Sequence, residues 1–265
     1  MTSIAVLGAT GNLGQHVARQ VLARGWSLSV AVRSRSRLAP EVSERAQVTD
    51  IDLSSAKLEE LAAFAEGQDA FVCCAGVVTE GEGFVTLVDR LVSALETIQR
   101  DRRPVSWFLA GAALLPLDAR GRLGVDLPKV RDTYWPHRAN YERLQRSTLD
   151  WRLLCPGPMA NQPAIGLQRL RISIEGLPTP LPAITRSLPA ALVLPLFAMK
   201  IPEMIVPYAD AASVILANVQ REGPMSKKRI GIALPVGMRG KKDHVPKRPD
   251  QRQATGARSR GDSRS

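Results

Sequence analysis

Cysteines are scarce in this chain, and no apolar run is long enough to cross a bilayer. Only three of the 265 residues are cysteines, and Cys73, Cys74 and Cys155 do not have the spacing of metal ligands. We therefore expect reduced cysteines in a cytoplasmic protein, with no metal site. The most apolar stretch, residues 188–199, is twelve residues long and contains two prolines, which is too short for a transmembrane helix.

Acidic residues are too few to balance the basic ones, and the net charge is +11. Residues 238–265 alone carry nine Lys or Arg against three Asp, with few apolar residues and much Gly, Ser and Pro. We predict that this stretch is a disordered basic tail. It could contact polyanions weakly. Because it has no aromatic side chains on which bases could stack, we do not expect specific nucleic-acid binding.

Three regularly spaced glycines follow the first apolar stretch, residues 4–7. Gly8 would let the chain leave a buried strand through a tight turn, and Gly11 would leave room for a pyrophosphate beside the backbone. Gly14 would let the next helix lie close on the sheet, with its unpaired first amides facing the phosphates. A dinucleotide site is thus predicted at the following residues: Gly8, Thr10, Gly11, Asn12, Leu13 and Gly14.

A second predicted strand, residues 28–32, completes a strand–helix–strand unit and ends in Arg33 rather than in an acidic residue. An acidic residue here would bind the ribose hydroxyls of the unphosphorylated cofactor. An arginine suits a 2′-phosphate, because its guanidinium can donate forked, charge-assisted hydrogen bonds. We therefore predict NADP, with NADPH preferred over NADH, and assign the phosphate contact to Arg33. Arg35 and Arg37 could assist Arg33 or belong to a solvated basic loop.

Short apolar runs alternate with helical patterns along the rest of the chain. Further strands are predicted at residues 48–53, 70–74, 105–109, 151–155 and 230–234, with helices at 56–65 and 84–100. This alternation predicts an α/β fold with a doubly wound parallel sheet of the Rossmann type, as one domain over residues 1–237. Because the first strand begins next to Met1, we expect no signal peptide. The proline-rich residues 159–207 are predicted to be irregular and to cover the substrate.

Two more strand ends provide candidate cofactor contacts, since ligands of such sheets bind at the carboxyl ends of the strands. Asp52 and Leu53 follow the third strand, where a carboxylate and a backbone amide could bind the adenine. Asp52 could equally be a strand-end cap. Ala75 and Gly76 follow the fourth strand, where small residues let the chain run beside the cofactor.

The chain resembles the atypical, NAD(P)H-binding branch of the short-chain dehydrogenase/reductase superfamily, which includes NmrA-like regulators and flavin or biliverdin reductase-like proteins. Residues 8–14 resemble the phosphate loop of that branch, and residues 147–157 resemble its sixth strand. Residues 207–212, Pro-Tyr-Ala-Asp-Ala-Ala, resemble the start of its late helix. The resemblance covers residues 1–237.

Active members use a tyrosine as general acid, with a lysine four residues later that lowers its pKa and binds the nicotinamide ribose. The resemblance places Tyr134 in the tyrosine position and Arg138 in the lysine position, so the lysine is missing. Arg138 could still lower the pKa of Tyr134 by its charge and donate to a ribose hydroxyl, although it would not readily release a proton. Pro136 is expected to begin a helix and to leave Tyr134 outside it. The usual serine is also absent, since residues 110–113 contain no hydroxyl and Ser106 lies at the other end of its strand.

Three interpretations of these residues remain open. In the first, Tyr134 or His137 donates a proton while NADPH reduces a small carbonyl, quinone or flavin-like acceptor. In the second, the dinucleotide is bound but not consumed, and the protein is an NmrA-like redox sensor or regulatory partner. In the third, Tyr134, His137 and Arg138 form only a solvated helix start. The resemblance implies a small-molecule substrate without naming it.

Overall fold

The computed structural model describes residues 1–243, and its centre is one eight-stranded sheet. The strand order is β3-β2-β1-β4-β5-β6-β10-β8, and every neighbouring pair is parallel except β10 and β8. These strands are β1 (Ser3–Leu7), β2 (Ser27–Val32), β3 (Gln47–Asp50), β4 (Ala70–Cys73), β5 (Val105–Leu109), β6 (Trp151–Cys155), β8 (Arg171–Ile174) and β10 (Lys228–Ala233). A separate pair joins β7 (Met159–Ala160) to β9 (Val206–Pro207).

Helices cover both faces of the sheet. They are α1 (Asn12–Ala23), α2 (Pro40–Arg45), α3 (Leu58–Ala65), α4 (Glu82–Thr97), α5 (Arg131–Gln145), α6 (Ala190–Lys200) and α7 (Tyr208–Leu216). Apolar residues of α1, α2 and α7 pack in one core cluster, and those of α3, α4, α5 and α6 pack in the other. The inner strands are buried on both faces, as their nearly continuous apolar sequences require. The predicted doubly wound α/β fold is confirmed.

Strand boundaries agree with the sequence patterns where the apolar run and the hydrogen-bonded ladder coincide. Both β5 and β6 have the predicted bounds. β3 ends at Asp50, three residues earlier than predicted. Asp52 and Leu53 therefore belong to the following loop, whose turn is closed by hydrogen bonds from the Ser55 and Ala56 amides to the Asp52 carbonyl.

The prediction that residues 159–207 are irregular is wrong in part. The segment contains β8 on the sheet edge and the eleven-residue helix α6, whose Val193 and Phe197 are buried. β8 escapes prediction because it is only four residues long and both of its isoleucines, Ile172 and Ile174, are substantially exposed. α6 begins after Pro189, which is compatible with a helix start, and tolerates Pro195 within it. Within residues 1–243, no helix has both the length and the apolar character needed to span a bilayer.

In the structure, contacts with the folded body continue past residue 237, the predicted end of the domain. Residues 238–243 contact the folded body: the Gly240 amide donates to the Pro202 carbonyl at 2.8 Å, and the Asp243 carboxylate accepts from the Asn161 amide at 2.9 Å. The hydrophilic sequence gives no sign of these contacts, because each has a backbone group as partner and joins residues far apart in the sequence. The predicted disorder and polyanion contact of the remaining tail concern residues 244–265, which lie outside the described residues.

Candidate functional site

The glycine loop connects β1 to α1 by a turn that only small residues can form. Gly8 has φ +77°, and a Cβ there would stand 2.8 Å from the Ala75 amide nitrogen. A Cβ on Gly14 would overlap the Gly8 carbonyl and lie 2.8 Å from the Ala9 Cα. Gly14 therefore allows α1 to lie directly against the loop that leaves β1. This close approach is the physical reason for the first and third glycines.

Free backbone donors are available at the start of α1. Within that helix, the first amide to donate is that of Gln15, which bonds to the Gly11 carbonyl at 2.9 Å. Among the described residues, the amides of Asn12, Leu13 and Gly14 have no hydrogen-bond acceptor, and the first turn contains no carboxylate. Three unpaired donors at the positive end of a helix dipole, with no competing anion, fit the pyrophosphate of a dinucleotide.

A groove of about 520 Å³ runs from this loop across the carboxyl ends of β1, β2 and β4. It crosses the point between β1 and β4 where the strand order reverses. Seven of the eleven predicted cofactor residues line it: Gly8, Thr10, Arg33, Asp52, Leu53, Ala75 and Gly76. The other four, Gly11, Asn12, Leu13 and Gly14, form the adjoining end of α1.

The three arginines after β2 have different surroundings. Arg33 lines the groove and forms no hydrogen bond or ion pair within the described part of the chain. Arg35 is turned towards β3, where it pairs with Asp50 at 3.1 Å and donates to the Val48 carbonyl at 3.0 Å. Arg37 lines no part of the groove. Of these three arginines, Arg33 therefore faces the groove, whereas Arg35 makes a structural contact.

Asp52 serves as a cap of the loop after β3, and it also faces the groove. Its Oδ1 atom accepts from the Ser54 amide at 3.0 Å and from the Ser54 hydroxyl at 2.8 Å. These hydrogen bonds, with the nearby Arg33 charge, lower the pKa of Asp52. The carboxylate is therefore ionised at neutral pH. The two roles considered for Asp52 are compatible, because only one of its oxygens makes these bonds.

Arg90 belongs to the groove and has no signal in the sequence. From α4 it donates to the Leu53 carbonyl at 2.8 Å, to the Ser54 carbonyl at 3.3 Å and to the Ala56 carbonyl. It thereby fixes the loop that carries Asp52 and adds a cation to the groove lining. Its acceptors are backbone carbonyls more than thirty residues away, so no local pattern could have predicted the contact.

Gly76 links the cofactor groove to a second cavity. It has φ +95°, and a Cβ there would stand 2.5 Å from the Phe84 ring. The Phe84 ring in turn packs edge-to-face against His137, with centroids 5.9 Å apart. A small residue after β4 is therefore needed to seat an aromatic side chain beneath the catalytic candidates.

The second cavity has a volume of about 560 Å³ and lies at the carboxyl ends of β5 and β6. The loop after β5 and residues 156–159 form one side, and α6 covers the other with Leu194, Phe197 and Ala198. Part of the predicted substrate-covering segment thus lines this cavity. Tyr134 and His137 reach it from α5.

α5 starts earlier than expected. It begins at Arg131, so Pro136 lies inside the helix and Tyr134 lies in its first turn. The prediction that Tyr134 lies outside the helix is wrong. α5 continues through Pro136 although proline supplies no backbone N–H for a helical hydrogen bond. Tyr134 and Arg138 are therefore one helical turn apart, as in the superfamily.

Arg138 nevertheless lies outside both cavities. Its guanidinium pairs with Asp126 and, at 3.3 Å, with Glu142. It lines neither the cofactor groove nor the second cavity. Arg138 is thus held in surface ion pairs and faces neither cavity, which differs from the ribose contact that the resemblance implies for the lysine position.

His137 is buried and electrically neutral. It is 7% exposed, its Nδ1 has no hydrogen-bond partner among residues 1–243, and its ring stacks on Tyr134 with centroids 5.9 Å apart. Desolvation lowers the pKa of His137 to about 4. At neutral pH it therefore holds no imidazolium proton to donate, whereas Tyr134, which is 38% exposed, brings a phenolic hydroxyl to the cavity.

The late motif, residues 207–212, supports the glycine loop from the side. The Tyr208 hydroxyl accepts from the side-chain Nδ2 of Asn12 at 3.3 Å, and its ring stacks on His16. Asp210 is buried and accepts from the Ile165 and Gly166 amides at 2.8 and 3.0 Å. These contacts connect α7 both to the phosphate loop and to the segment that follows β7.

Comparison with models of known protein families shows which family this chain belongs to. The model of the NAD(P)H-binding family matches residues 8–197, which include the glycine loop, both cavities' main walls and α5. The chain belongs to the NAD(P)H-binding family. This match confirms the predicted relation to NAD(P)H-binding proteins. No curated protein matches this NAD(P)H-binding chain significantly.

Solved structures similar to this NAD(P)H-binding protein share its fold at low identity. A Rossmann-fold NAD(P)-binding family protein from Shigella flexneri is 16% identical, with 93% of this chain and 100% of that chain covered and a TM-score of 0.61. A short-chain dehydrogenase/reductase from Veillonella parvula is 16% identical, with 91% and 98% covered and a TM-score of 0.61. A proposed NADH-flavin reductase from Streptococcus pneumoniae is 16% identical, with 88% and 100% covered and a TM-score of 0.65.

Proposed function

We propose that this NAD(P)H-binding protein is an NADPH-dependent reductase of a small carbonyl, quinone or flavin-like acceptor. The observation that carries the proposal is the position of two cavities along one edge of the sheet. One is the groove with the glycine loop and Arg33, and the other is the apolar cavity with Tyr134. When bound, NADPH supplies a hydride.

In this proposal the chain's own residues bind the cofactor, orient the acceptor and supply the proton for its reduction. The unpaired amides of α1 hold the pyrophosphate, and Arg33 binds the 2′-phosphate. α6 and residues 156–159 exclude water from the acceptor. The Tyr134 hydroxyl donates the proton, while the neutral His137 ring holds the tyrosine ring by stacking.

The test of this activity is single-turnover oxidation of bound NADPH with a panel of aldehydes, quinones and flavins. We expect oxidation with at least one acceptor, which is measured as the loss of absorbance of the reduced nicotinamide. Tight NADPH binding without oxidation by any acceptor would contradict a reductase. It would favour the alternative that the protein is a non-catalytic, NmrA-like redox sensor or regulatory partner. The ion pairs of Arg138 with Asp126 and Glu142 are the specific observation in favour of that alternative, since they occupy the group in the lysine position.

NADPH preference is predicted to depend on Arg33. A charge-assisted hydrogen bond contributes about 1.5–3 kcal/mol, so we expect NADPH to bind at least about tenfold more tightly than NADH. Arg33→Asp should abolish or reverse this preference, because a carboxylate repels a 2′-phosphate and can accept from a ribose hydroxyl. The measurement is the Kd of each dinucleotide by fluorescence titration.

Arg37→Asp is the matched control for this measurement. It makes the same charge change four residues away, at a side chain that does not line the groove. The preference should survive in this variant. Equal affinities for NADPH and NADH in the parent chain would disprove the assignment. An equal loss in both variants would show that the effect comes from net charge.

The compartment we propose is the cytoplasm. All three cysteines are free thiols, and burial raises the pKa of Cys73 to about 11, so this thiol stays protonated at neutral pH. Free cysteines in a folded protein are typical of a reducing environment. The same observations leave no role for Cys73 as a nucleophile in the proposed reduction.

A further inference from the structure

The first residues beyond the predicted domain boundary form part of the wall of the second cavity. Residues 238–243 are held from two sides. The Gly240 amide donates to the Pro202 carbonyl at 2.8 Å, and the Gln162 side chain donates to the Lys241 carbonyl at 3.1 Å. The Asp243 carboxylate accepts from the Asn161 amide. Lys242 lies between these anchored positions and lines the cavity.

Close packing fixes the same segment against the residues that follow α6. A Cβ on Gly240 would overlap the Ile205 carbonyl and stand 2.8 Å from the Ile205 Cβ. Only glycine lets the backbone approach this closely. The backbone position of Lys242 is therefore set by a closely packed segment.

The charge of Lys242 is not balanced within the cavity. The lining is mostly apolar, it contains no carboxylate, and its buried histidine, His137, is neutral at pH 7. Lys242 forms no ion pair within residues 1–243, and the adjacent Asp243 is directed at the Asn161 amide instead. A single cation at an apolar cavity attracts a ligand that has an apolar body and one negative group.

We propose that the second cavity takes a substrate with an apolar body and a carboxylate, and that Lys242 is the specificity-determining residue that binds the carboxylate. This inference rests on the proposed function in one respect, namely that the cavity is the substrate site. It goes beyond that function because it names the charge of the substrate. It also assigns a role to a residue outside the family match, which ends at residue 197.

Binding can be tested separately from turnover with two nearly isosteric probes, 2-naphthoate and 2-naphthamide. Titration calorimetry on the full chain with NADP⁺ present should give at least about tenfold tighter binding of the carboxylate, as expected for one charge-assisted hydrogen bond. Lys242→Gln should bring the two affinities together, and Lys242→Arg should largely preserve the preference. Lys241→Gln is the matched control, since its side chain does not line the cavity and its carbonyl is retained.

Gly240→Ala provides a second, independent variant. It leaves Lys242 in place in the sequence but pushes the segment away from Ile205, so it should also reduce the preference for 2-naphthoate. Gly176→Ala is its control, because a Cβ there meets no atom within 4 Å. Equal affinities of the two probes in the parent chain, absence of binding of both, or a preference that survives Lys242→Gln would each overturn the inference.

Turnover distinguishes this inference from the reductase function. If NADPH reduces 4-carboxybenzaldehyde and 4-carbamoylbenzaldehyde equally well, the reductase stands and the role of Lys242 is overturned. If neither aldehyde is reduced but 2-naphthoate binds in a Lys242-dependent manner, the carboxylate site stands and reduction of these aldehydes fails. Selective reduction of the carboxylate-bearing aldehyde, lost in Lys242→Gln, would support both.

Discussion

Tyr134→Phe is expected to lower the single-turnover rate of aldehyde reduction by about 10²–10⁴-fold, with little change in NADPH affinity. The substitution removes the phenolic hydroxyl that Tyr134 brings to the second cavity and keeps the ring that stacks on His137. His137 cannot compensate, because burial keeps its pKa near 4 and the ring neutral. Reduction of a quinone or flavin should be affected much less, since these acceptors need little acid catalysis. Stopped-flow absorbance of the reduced nicotinamide measures both rates.

Tyr141→Phe is the appropriate control for this loss. Tyr141 lies on the same helix, and within residues 1–243 its hydroxyl accepts one hydrogen bond, from the Gln145 side chain at 3.0 Å. Removing that hydroxyl should leave the rate of aldehyde reduction unchanged. An unchanged rate in Tyr134→Phe would show that the proton comes from water or from another group at the cavity, such as Lys242. It would also remove the main support for Tyr134 as a catalytic residue.

Gly14→Ala is expected to destabilise the protein by about 3 kcal/mol and to abolish measurable NADPH binding. The added methyl would overlap the Gly8 carbonyl and lie 2.8 Å from the Ala9 Cα. Since both neighbours are backbone atoms, α1 must move away from the loop and carry its unpaired amides with it. In a domain of this size, such a change corresponds to a fall in Tm of about 6–12 °C. Differential scanning fluorimetry and dinucleotide titration would measure the two effects.

Gly11→Ala distinguishes the contribution of a loop glycine to stability from its contribution to NADPH binding. Gly11 has φ −82°, which any residue can adopt, and a Cβ there would meet only the Gly8 carbonyl, at 3.3 Å. We therefore expect less than about 1 kcal/mol of lost stability but clearly weaker NADPH binding, because the methyl stands beside the phosphate donors. If Gly14→Ala melted like the parent chain, or Gly11→Ala bound NADPH like the parent chain, the roles assigned to these glycines would be wrong.

Short-range patterns were sufficient for most of the fold. Apolar runs of strand length predicted β5 and β6 to the residue, and the spacing of Gly8, Gly11 and Gly14 predicted the turn into α1. These features are encoded locally, since a strand needs a continuous apolar run and a tight turn needs a residue without a Cβ. The helices on both faces follow from the same alternation. The groove beside the glycine loop follows in turn, because parallel strands place their carboxyl ends at one edge.

Three elements with weak or misleading local signals, namely β8, α6 and the start of α5, could not be predicted from the sequence. β8 is a short edge strand whose exposed isoleucines resemble those of a loop, and α6 contains prolines that suggested an irregular segment. The start of α5 was misplaced for the same reason, since Pro136 is tolerated within a helix already fixed by packing on α4. In each case tertiary contacts outweigh local preference.

The sequence by itself determined that this protein has a doubly wound sheet with a glycine loop after its first strand, and that Tyr134 is followed four residues later by an arginine and not by a lysine. Only the tertiary structure decided what these residues can do. It pairs Arg138 with Asp126, buries His137 as a neutral ring, fixes the loop after β3 through Arg90 and brings Lys242 to the cavity. The physical reason is that charge state and accessibility depend on neighbours that are far apart in the sequence. Burial and ion pairing determine the charge state and accessibility of a side chain, and a local sequence pattern encodes neither burial nor pairing.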